Sequence, residues 1–247
     1  MDSFRKLDSI LKRQSTASPG DNASNTLQRY AEAIALTENV VAVLSDLRSG
    51  KSRIFSGAFG SLLGIEHYSE ENSIWEKEIL ALIPSADRDE KYLAELRFYN
   101  FLRHVPRGRR THYFLATKLH FTDSRHMVRE VLHRMYYIHD QCNDAVSHAL
   151  CLYGPLVFDF PGRSVAVNSV TGKLHPLSSD TDAGILTPRE KQVLGLIATG
   201  RSSREISEAL SISPHTVSRH RQEILAKLQV RNSVEACRVA NALGILE

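Results

Sequence analysis

The chain has 247 residues, room for two ordinary domains, and its 42% apolar and 24% charged residues are ordinary globular values. No run approaches the roughly 18 apolar residues of a spanning helix, and no signal-peptide core opens the chain, so no membrane contact and a cytoplasmic location are expected. The formal net charge of +3 is confined to one end: residues 185–247 hold nine Lys and Arg against six Glu, and the other 184 residues hold 22 basic and 22 acidic residues. Cys142, Cys151 and Cys237 are few, odd in number and without CxxC spacing, which reads as buried free thiols.

In chain order, Phe4, Leu7, Ile10 and Leu11 form a short amphipathic stripe, and STASPGDNASN after it reads as a flexible linker, so residues 1–25 are taken as a helix and linker. A helical pattern follows through Leu27, Tyr30, Ala31 and Ile34. VVAVLSDL and SRIFSGAF, separated by the turn residues RSGK, predict two strands. Residues 60–104 then shift to short helices, through LLGI, SIWEKEILALI and YLAELRFYNFL. Three longer strands are predicted from THYFLATKLHF, VREVLHRMYYIH and DAVSHALCLYGP; in the first, Tyr113, Leu115, Thr117, Leu119 and Phe121 alternate onto one face. RSVAVNS and TGK suggest a last hairpin before LHPLSSDTDAG, and a linker is placed at 176–184. The basic run RHVPRGRR reads as a solvated loop.

Two strands, several short helices and three strands is the order of a PAS domain. Residues 26–175 resemble one, and Leu82-Ile83-Pro84 followed by Asp87 is similar to the corner that opens the long PAS helix, with Ile83 where that corner has His. The resemblance implies a five-stranded antiparallel sheet with short helices, used for sensing or dimerisation.

From residue 185 the punctuation becomes sharp. Thr187-Pro188-Arg189-Glu190 and Ser202-Ser203-Arg204-Glu205 both fit a capping box, in which the first hydroxyl and the Glu satisfy each other's backbone N–H groups. Ser213 before Pro214 opens a third helix and Asn232 a fourth, with Gly200 and Gly244 as stops. Only Ser211 and Ile212 separate the second helix from the third. On the third helix, Val217, Ile224 and Leu228 share one side; His215, Ser218, Arg219, Gln222 and Ala226 share the other. Two helices joined by so short a turn, the second presenting donors, is the helix-turn-helix arrangement, whose second helix fits a major groove.

The segment from Leu186 to Ala236 resembles the LuxR-type DNA-binding domain of bacterial regulators, through Leu186 to Glu190, Gly200, Glu205-Ile206, Leu210, Ile212-Ser213, Thr216-Val217, His220, Ile224, Lys227-Leu228 and Glu235-Ala236. That resemblance implies a four-helix unit over 185–247 whose third helix reads DNA and whose fourth often mediates dimer contacts. With the 26–175 region, the chain is similar to PAS–LuxR regulators of the Bacteroidetes, an α+β fold followed by an all-α one. Arg219 and Gln222 are placed to pair with guanine and adenine edges. Ser218 is placed at a base or phosphate, His215, Thr216 and Lys227 at phosphates, and Ser203 and Arg204 at the backbone from the preceding helix. His220, beside the apolar stripe, is expected to pack inside the domain. Ala236, Val239, Ala240 and Leu243 are assigned to the core of the fourth helix, which leaves Val234, Cys237 and Asn241 for an isologous dimer contact.

Implied partners are double-stranded DNA and a second copy of the chain, with RNA polymerase or a signalling partner left open. His112, His120, His126, His133, His139 and His148 raise a metal or haem question, but with no tight His pair they read as surface or interface residues. No metal or cofactor is evident; an unidentified small-molecule ligand of the PAS-like domain stays open. Neither a nucleophile pairing, a carboxylate pair nor a Gly-rich phosphate loop supports an enzyme. A protein-binding adaptor is the other rival, and the donor-rich third helix argues against it.

Overall fold

The computed structural model describes residues 2–12, 21–140, 145–178, 182, 185–228, 230 and 232–246. The expected linker over 13–20, most of that at 179–184, and Cys142 lie outside these residues. The chain divides into two compact units, Met1–Phe98 with Val105–Pro176, and Tyr99–His104 with Leu177–Glu247. Among the described residues no helix is long and apolar enough to cross a membrane.

The first unit begins with α1 (Asp2–Lys12) and α2 (Asp21–Glu38). Leu7 and Leu11 of the expected stripe are buried, at 1% and 5% exposure. DNASN, expected as linker, instead forms the first turn of α2. These residue types are shared by linkers and helix starts, so composition alone did not separate the two.

Next come β1 (Val41–Asp46) and β2 (Lys51–Ser56), α3 (Ala58–Leu63), β3 (Glu70–Glu71), α4 (Lys77–Ala81) and the long α5 (Ser85–His104). A 3-10 turn, Arg107–His112, replaces the loop expected at the basic run. Then follow β4 (Tyr113–Thr122), β5 (Val128–His139), β6 (Val146–Pro155), β7 (Ser164–Asn168) and β8 (Leu174–Pro176).

The sheet is antiparallel throughout and has eight strands in the order β3-β2-β1-β6-β5-β4-β7-β8, not the five expected. The additions are edge strands. β3 pairs only two residues on β2, and β7 extends the sheet beyond β4. β8, read as linker, pairs with β7 through Val165, Ala166 and Val167; its Pro176 is tolerated because an edge strand has no neighbour on one side.

Strands β1 and β6 are buried at nearly every position because both faces of the sheet are covered. On one face α2 packs through Ala35 against Ala42 and Leu152, with Phe55 and Tyr136 beside them. Further along that face Phe160 closes over Ala116, Leu132, Val165 and Val167. On the other, Phe98 of α5 stacks on Tyr137 at 5.8 Å. The entry of α5 is fixed by Asp87 in its first turn. That carboxylate accepts from His120 N at 2.7 Å and Nδ1 at 2.9 Å and from Arg163 Nη2 at 2.9 Å. Burial pushes its pKa up, but these donors outweigh burial and hold it below the ordinary value.

Among the described residues the second unit holds α6 (Pro188–Ala198), α7 (Ser203–Leu210), α8 (Pro214–Lys227) and α9 (Ser233–Ala242). All four expected N-caps are made. Thr187 and Ser202 form complete capping boxes, Ser213 Oγ accepts from Thr216 N at 3.0 Å, and Asn232 Oδ1 accepts from Glu235 N at 2.9 Å. Each such cap contributes about 1 kcal/mol. α8 packs against α6, α7 and α9, and Val193, Leu194, Ile206, Val217, Ala236 and Ala240 have no exposure. Val239 and Leu243 are buried too, so the core side of α9 is the one its spacing implied.

Candidate functional site

The turn between α7 and α8 sets the direction of the third helix. α7 ends at Ser211, which takes a left-handed conformation with φ 51°, and Ile212 N donates back to Ser207 O at 3.0 Å. Ser213 then caps α8 and Pro214 occupies its first turn, where the missing N–H costs nothing.

With Val217, Ile224 and Leu228 buried, the opposite side of α8 faces solvent. His215, Ser218, Arg219 and Gln222 are all exposed. The Arg219 side chain is 73% exposed, and its Nε donates to Glu223 Oε1 at 2.9 Å. An exposed i,i+4 pair of this kind is weak and screened by solvent, so the guanidinium is readily redirected to another acceptor. Thr216 is half-buried, and its hydroxyl lies 2.9 Å from Ser213 Oγ, within the cap. Arg204 is 87% exposed on α7 and pairs with Glu208, and Ser203 is half-buried at the helix start. His220, with 19% of its side chain exposed, flanks the core as expected and lies 3.4 Å from Glu223.

Lys227, expected at a phosphate, has a partner inside the domain. Its ammonium donates to Glu190 Oε2 at 2.8 Å, and the Glu190 side chain is only 2% exposed. The same carboxylate oxygen accepts from Thr187 N at 2.7 Å. Lys227, with 39% of its side chain exposed, therefore also braces the capping box of α6. Helical spacing placed it toward the helix end but could not show an acid approaching from α6. Burial raises the Glu190 pKa, but Lys227 and Thr187 more than offset this and hold it below 4.5. A depressed carboxylate contributes stability at pH values above its unfolded pKa and loses it as pH falls through the folded one. Replacing Lys227 by alanine should cost about 1.5–3 kcal/mol, the range for a hydrogen bond to a charged group, and should lower the thermal midpoint of the helical signal. An unchanged midpoint would return the lysine to solvent.

On α9, Val234 is 63% exposed, Asn241 is exposed and Cys237 is half-buried. They are not part of the buried side formed by Ala236, Val239, Ala240 and Leu243.

A second chemical centre, which sequence reasoning missed, lies inside the first unit. Lys91 and Glu95, one helical turn apart on α5, are 1% and 3% exposed and 2.6 Å apart. His133 on β5 is fully buried, and its Nε2 lies 3.8 Å from Glu95 Oε1. The register pairs His133 with Tyr153 and Met135 with Cys151, so His133 and Cys151 share the sheet face that α5 covers. Glu76, at the start of α4, is 2% exposed. Burial opposes the Lys91 charge, but Glu95 and Glu76 together raise its pKa above the ordinary value. A small cavity of about 20 Å³, room for a single water, is lined by Leu11, Trp75, Glu76, Lys91, Glu95 and Cys151, among others.

Two of the histidines expected at the surface, His133 and His148, are thus buried, at 0% and 3% exposure. The signal was present: His133 has the same strand parity as Val131, Met135 and Tyr137, all buried.

A helix-turn-helix with a capped, donor-bearing third helix defines the class of the second unit. Residues 184–240 match the family described as "Bacterial regulatory proteins, luxR family", so the C-terminal unit is a LuxR-type helix-turn-helix domain. Over 56 residues it is 46% identical to the transcriptional regulatory protein DesR of Bacillus subtilis, covering 23% of this chain and 28% of that protein. It is 43% identical over 61 residues to the transcriptional regulatory protein MctR of Rhizobium johnstonii, covering 25% of this chain and 28% of that one. The chain thus spans less than a third of the length of these relatives. A crystal structure of a phage VqmA–DPO complex aligns over 92% of this chain and 90% of its own, at 15% identity and a TM-score of 0.31, which is too low to carry an argument about the first unit.

Proposed function

We propose that the protein is a sequence-specific, double-stranded-DNA-binding transcription regulator acting in the cytoplasm, with a PAS-like N-terminal unit that receives a signal or mediates dimerisation. The observation that carries this reading is the exposed row His215, Ser218, Arg219 and Gln222 on the third helix of a LuxR-type domain. Arg219 and Gln222 carry the bidentate donors and acceptors that distinguish guanine and adenine in the major groove. His215, Thr216, Ser203 and Arg204 orient the helix on phosphates. The nine basic residues of the C-terminal end supply the long-range attraction.

The PAS-like part rests on the strand order β2-β1-β6-β5-β4 inside the larger sheet and on α5 opening directly after Pro84. The buried ionisable groups around its small cavity make that unit the candidate receiver of a signal.

Selection of duplexes from a random-sequence pool by the full-length protein tests the reading. An enriched motif is expected; recovery of the starting pool unchanged would overturn it.

Dimerisation on two half-sites belongs to the same reading. Val234, Cys237 and Asn241 lie together on the side of α9 that is not used for the core, which suits an isologous contact. Val234→Glu should set like charges across the two-fold axis and weaken dimeric binding to a palindromic site while the helical signal stays unchanged. Unaltered dimeric affinity would place the contact elsewhere.

A further inference from the structure

We infer that Glu95, His133 and Cys151 form a binding site for a thiophilic divalent transition-metal ion, of which Zn²⁺ is the simplest representative, inside the N-terminal unit. Each residue offers one ligand atom, and the three atoms lie within 4.8 Å of one another. First-row metals bind such ligands at about 2.0–2.3 Å, which in a tetrahedral site sets the ligands roughly 3.3–3.8 Å apart. Side-chain movements of about 1 Å close that difference.

His133 is the residue that most needs an explanation. It is completely buried, and neither ring nitrogen has a hydrogen-bond partner among the described residues. Buried polar groups are ordinarily satisfied, and leaving one without a partner costs about 1–3 kcal/mol. The 3.8 Å from Nε2 to Glu95 Oε1 is too long for a hydrogen bond but suits two ligands of one ion. Tyr153 stacks on the imidazole at 4.8 Å between centroids and 14° between planes, which fixes the ring in this orientation.

Charge points the same way. Lys91, Glu95 and Glu76 are all nearly inaccessible, so the site lies beside two buried acids. Glu76 Oε2 is likewise without a partner among the described residues. A divalent cation that binds the Cys151 sulfur displaces its proton to solvent as the metal–sulfur bond forms. The sulfur and imidazole ligands select zinc-like ions over Mg²⁺ or Ca²⁺, which take oxygen. Three protein ligands leave a fourth position, and Glu95 and Cys151 both line the pocket from which a water can occupy it.

The test uses the full chain, stripped of metal by a chelator and titrated with Co²⁺ as a spectroscopic probe, then with Zn²⁺. Binding of one Co²⁺ with a thiolate-to-cobalt charge-transfer band is expected, and Zn²⁺ should bleach it. The band should vanish in Cys151→Ser and persist in the Cys142→Ser/Cys237→Ser double variant. Glu95→Gln, which keeps the shape of the side chain, and His133→Gln should each weaken Co²⁺ binding by more than about tenfold, a loss seen even for residues outside the ligand set. Absence of the band in the unaltered protein, or its survival in Cys151→Ser, would overturn the assignment. The titration contains no DNA, so it can fail while the regulator reading stands.

Discussion

Glu95→Ala is expected to destabilise the N-terminal unit by about 3–5 kcal/mol, the usual result of removing one member of a buried ion pair. The reason is Lys91. At 1% exposure its ammonium cannot reach water, and Glu95 Oε1, at 2.6 Å, is its hydrogen-bonded counter-charge. Glu76 remains as a second acid but lacks that contact. Trp75, the chain's one tryptophan, lies in the same unit. It meets Tyr92 edge-on at 5.5 Å, and its Nε1 donates to Asp8 Oδ1 at 2.8 Å. Urea unfolding of metal-free protein, followed by this fluorophore, therefore reports on the affected unit. Replacing both partners, Lys91→Met with Glu95→Leu, should recover most of the loss, because no charge is then left buried. A loss below about 1 kcal/mol in Glu95→Ala would mean that Lys91 finds another partner or water.

Leu194→Ala should have an effect of similar size in the other unit. Leu194 has no exposure and sits on α6, which packs against α7, α8 and α9. Truncating a buried Leu costs about 2–5 kcal/mol through lost transfer energy and the cavity left behind. A unit of about 60 residues has little stability in reserve, so its helices should melt well below the wild-type midpoint in far-ultraviolet circular dichroism. Affinity for DNA should fall with them, although Leu194 is on the buried side of the domain. An unchanged melting curve would show that α6 does not belong to the core.

The helix-turn-helix was legible in the sequence because its information is local. Thr187, Ser202, Ser213 and Asn232 each cap a helix through a residue three positions on, so caps and helix starts can be read within four residues. Strand alternation likewise located β4, and the length of the next two apolar segments located β5 and β6. What escaped was either short or long-range. β8 is three residues ending in Pro, and α2 opens on residue types shared with linkers. The Lys227–Glu190 pair joins side chains 37 positions apart, and the Glu95–His133 approach joins an α-helix to a strand across the β4 hairpin. Neither follows from periodicity along one element. His133 was the exception, since its strand parity marked it as inward-facing.

If the third helix reads base edges, Gln222→Ala removes a reading side chain without changing charge. Binding of wild-type and variant protein is measured to the selected duplex and to random duplex over a range of salt. A loss of about 1–3 kcal/mol is expected on the selected duplex and almost none on the random one, with an unchanged salt slope. Arg219→Ala should show a comparable loss on the selected duplex, with a shallower salt slope from the missing charge. Equal losses for Gln222→Ala on both duplexes, or no loss on either, would show that Gln222 does not read a base edge.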